Sequence, residues 1–245
     1  MNRRGLLIFC LLFLLSLAGT RAVGQLYVGL GYQQGFWVMP NAHVPIDRFN
    51  ASGFLARDYG KWRWPGGEIY SVSYRNEDGL LLELTMNSRR QRISAESFGG
   101  SGLTRRDLRF SMQAFSFAAG SAVINDETFV MYLGGSADLG WMRVLNRLGP
   151  KATINNVNYS LLLRQNMVAV SAFLKMVWRS APDALVVVSL TPYVQYPLQQ
   201  FDFSFVNRVL NPNTWSEDPD PLLGRPINFG LQFNVDMDLL GILGN

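Results

Sequence analysis

Ile227-Asn228-Phe229-Gly230-Leu231-Gln232-Phe233-Asn234-Val235-Asp236-Met237-Asp238 alternates apolar and polar residues without a break. Successive side chains of a strand point to opposite faces, so this stretch has one greasy side and one wet side. The wet side carries Asn, Gly, Gln and Asp, not the Lys and Glu of a soluble surface. That combination predicts a closed barrel with its apolar face toward lipid and its polar face inside.

The same period recurs upstream. Residues 26–38 set Leu26, Val28, Leu30, Tyr32, Gln34, Phe36 and Val38 against Tyr27, Gly29, Gly31, Gln33 and Gly35. Residues 68–75 turn Tyr70, Val72 and Tyr74 outward, and 80–89 turn Leu80, Leu82, Leu84 and Met86 outward. Over 107–123, Leu108, Phe110 and Met112 begin on one face, and Phe115 and Phe117 break phase, which predicts a bulge. Residues 129–142, 157–178 (with a second phase change near Gln165 and Asn166) and 185–203 complete the set. Pro192 and Pro197 weaken the last of these, because proline removes a ladder donor. With 227–239 this makes eight candidate strands. The fold class is all-β, an eight-stranded antiparallel up-and-down transmembrane barrel.

No stretch after the N-terminus holds 18 consecutive apolar residues, so no helical span is expected. A membrane protein of this kind must close its sheet, because open edges cannot face lipid. Residues 1–24 read as a cleaved signal peptide. Arg3 and Arg4 precede a short apolar run, and Ala22 and Gly24 sit before a cut at Gln25. The remainder, 25–245, forms one barrel domain. Removing the leader takes away Arg3, Arg4 and Arg21 with no acid, so the net charge falls from +4 to +1. Charge therefore gives no reason to expect a nucleic-acid partner. The single cysteine, Cys10, leaves with the leader, which excludes disulfides and thiolate metal sites.

Connections alternate in length. Short turns fall at 76–79, 125–127 and 180–183, and long ones at 39–67, 90–106, 146–156 and 204–226. Short turns at one end and long loops at the other describe an outer-membrane barrel with its short end periplasmic. Tyr74, Phe129 and Trp178 near short turns, and Phe36, Trp141, Tyr159 and Phe229 near long loops, predict two aromatic girdles.

The chain resembles the small eight-stranded bacterial outer-membrane barrels, the class that includes the OmpA transmembrane domain and OmpX-like proteins. The resemblance covers essentially the whole mature chain and is architectural. Residues 228–235, with Gly230, Phe233 and Val235, are similar to the last-strand signal read by the outer-membrane assembly machinery, although Leu239 to Asn245 replace the usual terminal aromatic. The Gly24-Gln25 junction and this tail resemble envelope proteins of the Bacteroidota. The resemblance implies Sec-type export, residence in the outer membrane of a Gram-negative bacterium, and contact with outer-membrane lipid and lipopolysaccharide.

Glu83, Arg89, Arg109, Asp138, Arg164, Asp236 and Asp238 are candidate inward charges. A narrow interior forces them to pair. The expected lumen network joins Glu83, Asp138 and Asp236 to Arg109 and Arg164, with a gated ion path as the alternative. Arg89, Arg90, Arg92, Arg105 and Arg106 around the second long loop would attract lipopolysaccharide phosphates or an acidic partner. Trp62 and Trp64, alternating with Lys61 and Arg63, suit a headgroup or protein contact. Glu217, Asp218 and Asp220 form an acidic tip whose spacing matches no calcium loop, and 99–102 is a glycine-rich tip. His43, the only histidine, has Asp47 and Ser52 nearby, the residue types of a lipid A-modifying hydrolase but in no diagnostic pattern. No catalytic residue, metal or cofactor is assigned. The expected role is a non-enzymatic structural or interaction component of the envelope, such as an accessory subunit of a secretion or assembly complex. A narrow channel for small solutes is the alternative, and a lipid A-modifying enzyme the second.

Overall fold

The computed structural model describes residues 24–39, 41–52, 55–99, 102–182, 184–214 and 221–243. The leader over 1–23, the acidic tip at 217–220 and the glycine tip at 100–101 lie outside the described residues.

Eight long strands form the wall: β1 (Gly24–Val38), β2 (Gly66–Asn76), β3 (Leu80–Gly99), β4 (Gly102–Asn125), β5 (Phe129–Pro150), β6 (Ser160–Arg179), β7 (Val186–Pro197) and β8 (Ile227–Asp238). Each pairs antiparallel with its sequence neighbours, and β1 pairs with β8, so the sheet closes as an up-and-down meander. No helix among the described residues is long and apolar enough to cross a membrane. On β8, Phe229, Leu231, Phe233, Val235 and Met237 are exposed, while Asn228, Asn234, Asp236 and Asp238 are buried. Leu30, Leu133, Leu139, Val170, Val188 and Val194 continue that exposed apolar band around the wall. Such a continuous apolar exterior over a polar interior is the arrangement of a membrane-spanning barrel.

Both proline positions are explained by the ladder. Pro192 still faces Leu231 of β8, but pairing with β6 is interrupted between Phe173↔Tyr193 and Met176↔Leu190, where the missing N–H would fall. Pro197 ends β7, earlier than the expected 203.

The strands extend beyond the expected limits on the long-loop side. The second long connection, 90–106, is mostly not a loop. β3 and β4 pair without a shift from Leu80↔Ser121 to Gly99↔Gly102, so this segment projects as a two-stranded ribbon. Its polar outer face gave the sequence the look of a loop. Likewise β5 runs to Pro150, followed by a 3-10 turn at Lys151–Asn156. The phase break expected at Phe115 is not a bulge. Register through it is continuous, and the irregularity falls instead at Ala122/Ile124. Leu108, Phe110 and Met112 simply face inward. On β6 the phase is also continuous past Gln165 and Asn166, and the shift lies between Val144/Leu145 and their β6 partners Leu163 and Leu161.

Two connections are truly long, and they fold over the barrel. One carries α1 (Val44–Asn50) and a short strand, Leu55–Arg57, paired with β3. The other carries α2 (Ser204–Leu210), flanked by a two-residue ladder joining Phe201–Asp202 to Leu223–Gly224. Asn211 Nδ2 donates to the Pro45 carbonyl at 2.9 Å, and Asn41 Nδ2 to the Leu223 carbonyl at 2.8 Å, tying the two caps together. After β8 the chain turns into α3 (Leu239–Leu243), whose first turn is met by Asp238 Oδ1 accepting from the Leu240 N–H at 3.0 Å.

Candidate functional site: a closed lumen and its outer rows

The interior is layered. Near the short turns, Tyr27, Leu81, Val130, Tyr132, Phe173 and Val177 pack together. Interleaved with them, and continuing toward the long-loop side, lie three cations, Arg75, Arg89 and Lys175, and three carboxylates, Glu83, Asp138 and Asp236, all buried. Their formal charges cancel. Arg75 pairs with Asp236, Lys175 pairs with Glu83, and Lys175 Nζ also lies 3.8 Å from Asp236. The Arg75 guanidinium stacks 4.2 Å from the Tyr27 ring centroid. Asp138 accepts from Gln195 Nε2 at 2.7 Å and from Ser136 Oγ at 2.9 Å, and also from the Ser171 hydroxyl. Gln195 in turn accepts from Arg89 Nη1 at 3.1 Å, so one amide bridges cation and anion. Burying an unpaired ion costs several kcal/mol, roughly 3–5 when one partner of a pair is removed. Within this group three cations meet three carboxylates, and Asp238, level with Tyr27, is a further buried carboxylate at the short-turn end.

Glu83, Arg89, Asp138 and Asp236 therefore sit inside, but two expected partners do not join them. Arg109 and Arg164 face outward on β4 and β6. The expectation for Arg109 assumed that Leu108, Phe110 and Met112 face lipid. They face a core instead, which turns Arg109 out. The true partners, Arg75 and Lys175, carried a signal. Lys175 alternates with Leu174, Met176 and Trp178 rather than interrupting an apolar run, and Arg75 follows Ser71 and Ser73 on the wet face.

Above the charged layer the interior is apolar. Trp37, Trp62, Phe110, Met142, Phe201 and Phe203 are buried in one cluster with residues of α1 and α2. Trp37 and Phe110 meet edge-on at 4.1 Å, and Trp62 lies 5.8 Å from Phe110. This plug corrects the reading of Trp62 as a contact residue, since its side chain is fully enclosed. Trp64 is exposed and tilted against Phe36 at 4.9 Å. The cavity left within the charged layer is about 40 Å³, room for a few waters.

The outer arginines divide. Arg105 is engaged by Asp107 at 2.7 Å, and Arg147 approaches the same carboxylate at 2.7 Å. Burial would raise the Asp107 pKa, but hydrogen bonds from Ser94, Arg105 and Arg147 outweigh it and hold the carboxyl below its ordinary range. Lys151, bonded at 2.8 Å, likewise draws Glu96 down. Arg106 lies over the Phe49 ring. Arg90 and Arg92 are exposed on the outer face of β3. His43 caps the start of α1 through its carbonyl, and burial lowers its pKa against the opposing pull of Asp47. Among the described residues no hydrogen bond joins its imidazole to Asp47 or Ser52, and its Nδ1 is buried without a partner. No group of three metal-ligating side chains occurs among the described residues. Gly230 faces inward against the Tyr193 ring, and Phe233 and Val235 face outward.

The fold and this lumen define a small, closed transmembrane barrel. Among solved structures the chain is similar to neisserial surface protein A (11% identity, 87% of this chain and 97% of that one, TM-score 0.47). It is also similar to Ail, the attachment invasion locus protein of Yersinia pestis (10%, 88% and 99%, TM-score 0.39), and to the N-terminal β-barrel domain of Pseudomonas aeruginosa OprF (12%, 86% and 98%, TM-score 0.34). No protein-family model and no curated protein matches the sequence.

Proposed function

We propose that this chain is an outer-membrane barrel that acts as a non-enzymatic anchor, holding its ribbon and loop caps outside the membrane as contact surface for other envelope components. A place as accessory subunit in a secretion or assembly complex fits that role. The observation that carries the reading is the double closure of the lumen. A charge-balanced layer fills the middle, and a buried aromatic plug built from Trp37, Trp62, Phe110, Phe201 and Phe203 seals the long-loop side. A solute path would have to break both. The long-loop caps bury Ile46, Val206 and Leu210 in that seal, and they leave Phe205 of α2 exposed, as they do Phe98 at the ribbon end, apolar anchors within an otherwise polar contact surface. Planar-bilayer recording of the purified barrel tests it. Silence across the voltage range is expected, and reproducible unitary conductance steps would replace the anchor with a channel.

A further inference from the structure

Just beyond the apolar band, the outer wall carries a field of arginines spread over four adjacent strands. Register places Met86, Phe115, Leu139 and Val168 side by side on β3, β4, β5 and β6, the last apolar row. The next outward row is Ser88, Gln113, Trp141 and Asn166. Above it come Arg90, Ser111, Arg143 and Arg164, then Arg92, Arg109, Leu145 and Leu161. Five arginines thus occupy two consecutive rows. Strands lie about 4.8 Å apart and alternate residues about 7 Å apart, so the field measures roughly 14 by 7 Å.

No carboxylate lies on those two rows. Asp107, one row higher, is already taken by Arg105 and Arg147. Glu68, on neighbouring β2 and outward, sits at the edge of the field and accepts from the Tyr70 hydroxyl at 3.3 Å. None of the five arginines forms a salt bridge among the described residues. Aromatic rings hold two of them in place. Arg109 stacks 4.4 Å from the Tyr159 centroid, the same ring that Arg147 approaches at 4.6 Å, and Arg143 lies 5.5 Å from Trp141. The Nε atoms of Arg109 and Arg143 are shielded and lack a hydrogen-bond partner.

Like charges gathered without counter-ions repel, and the cost is met when an anion sits between them. Guanidinium forks match phosphate oxygens two at a time. The height of the field decides which phosphate. A ligand here must have acyl chains against Leu139 and Val168 and a phosphorylated headgroup one or two rows above. We propose that the outer face of β3–β6 is a binding site for the phosphorylated headgroup of lipopolysaccharide in the surrounding leaflet. A disaccharide bearing a phosphate at each end spans such a field better than a single phosphodiester does. The proposal rests on the outer-membrane reading above, because it needs the long-loop side to face the lipopolysaccharide leaflet.

The test uses the mature chain folded into phosphatidylcholine nanodiscs, with binding read by native mass spectrometry and by displacement of a fluorescent lipid A. The probes are diphosphorylated lipid A, lipid A stripped of phosphate, phosphatidylglycerol and inorganic phosphate. Diphosphorylated lipid A is expected to bind at least tenfold more tightly than the other three. Each Arg→Gln change in the field should weaken it about fivefold, so R143Q/R164Q loses about 25-fold, and R225Q, outside the field, loses nothing. If R143Q/R164Q does not fold, R90Q/R92Q on the exposed face of β3 reads the same site. Equal binding of stripped lipid A, phosphatidylglycerol or inorganic phosphate overturns the assignment, as does an R225Q loss matching that of the field variants. A chain that will not enter the bilayer at all overturns the membrane reading itself, an outcome distinct from insertion without lipid discrimination.

Discussion

Replacing Lys175 with methionine removes one cation from a buried layer whose charges otherwise cancel. Lys175 is 1% exposed, bonds Glu83, and lies 3.8 Å from Asp236. Asp236 keeps Arg75, so the orphaned charge is Glu83. Leaving a buried ion without its partner costs about 3–5 kcal/mol. With a urea slope of about 2 kcal/mol per molar, the unfolding midpoint should fall by about 2 M. The assay is reversible urea unfolding in vesicles, followed by tryptophan fluorescence and by the mobility difference between folded and unfolded barrel on an unheated gel. Glu83→Leu combined with K175M restores neutrality with side chains of fitting volume. That pair should return to within about 1 kcal/mol of the parent, because replacing both members of a buried ion pair is often neutral. A K175M midpoint equal to the parent's, or a double variant worse than the single one, would show that charge balance does not hold the interior together.

Two further outcomes test other parts of the molecule. Gly230→Val puts a Cβ 2.4 Å from the Tyr193 hydroxyl and 2.7 Å from the Gln34 carbonyl, so Tyr193 must leave its 3.1 Å bond from Asn228. It should destabilise the barrel by about 1–3 kcal/mol even when folded in vitro without any assembly factor, and an unchanged urea midpoint there would remove the packing role. Asp107 is held below its ordinary value of 3.8, so its contribution to the ribbon is complete above that value and is lost as pH falls through the lower folded one. The protection factors of the 90–99 and 102–110 amides, taken against the intrinsic rate at each pH, should therefore be high at pH 6 and fall once pH drops below 3.8. Asp107→Asn should exchange faster already at pH 6, and equal protection at both pH values in the parent would contradict the assignment.

Much of the wall was legible because a lipid-facing strand has no freedom in its pattern. The alternation of β8 and β1 predicts their faces residue by residue, and the short turns at 76–79 and 125–127 are where the sequence puts them. The interior network was half legible. Glu83, Asp138 and Asp236 follow from alternation alone. Choosing their partners needed the face of each basic residue, and that depended on whether neighbouring apolar residues meet lipid or core. Hydrophobicity does not distinguish those two destinations, so the sequence alone points Arg109 inward and does not single out Lys175. The ribbon was missed for a related reason. Beyond the bilayer, a strand outer face is free to be polar, and Arg90-Gln91-Arg92 reads as loop.

The outward turn of Arg109 and the extended ribbon share one cause, which also ties the plug to the arginine field. Polarity inverts along the strands at a single level. On β4, Phe117 and Phe115 face out below it, while Met112, Phe110 and Leu108 face in above it, with no change of register. On β6 the outward face passes from Val170 and Val168 to Asn166 and Arg164. On β5 it passes from Leu139 through Trp141 to Arg143, and on β3 from Met86 through Ser88 to Arg90. Ladder register sets these four crossings in adjacent rows, so the inversion marks a plane rather than four local accidents. A plane at which outside turns from apolar to cationic and inside from charged to apolar is where the wall leaves acyl chains and meets headgroups. Below it lipid covers the apolar face, and the interior must be polar only as far as it can be paired. Above it water and headgroups cover the outside, so the large aromatic side chains of β1 and β4 turn to the interior, while Leu161, Leu148 and Phe98 remain on the outside. Long loops carrying α1 and α2 then supply the second half of that core. The seal of the lumen and the cationic outer rows are in this sense one feature, produced on both sides of the same strands by the same boundary.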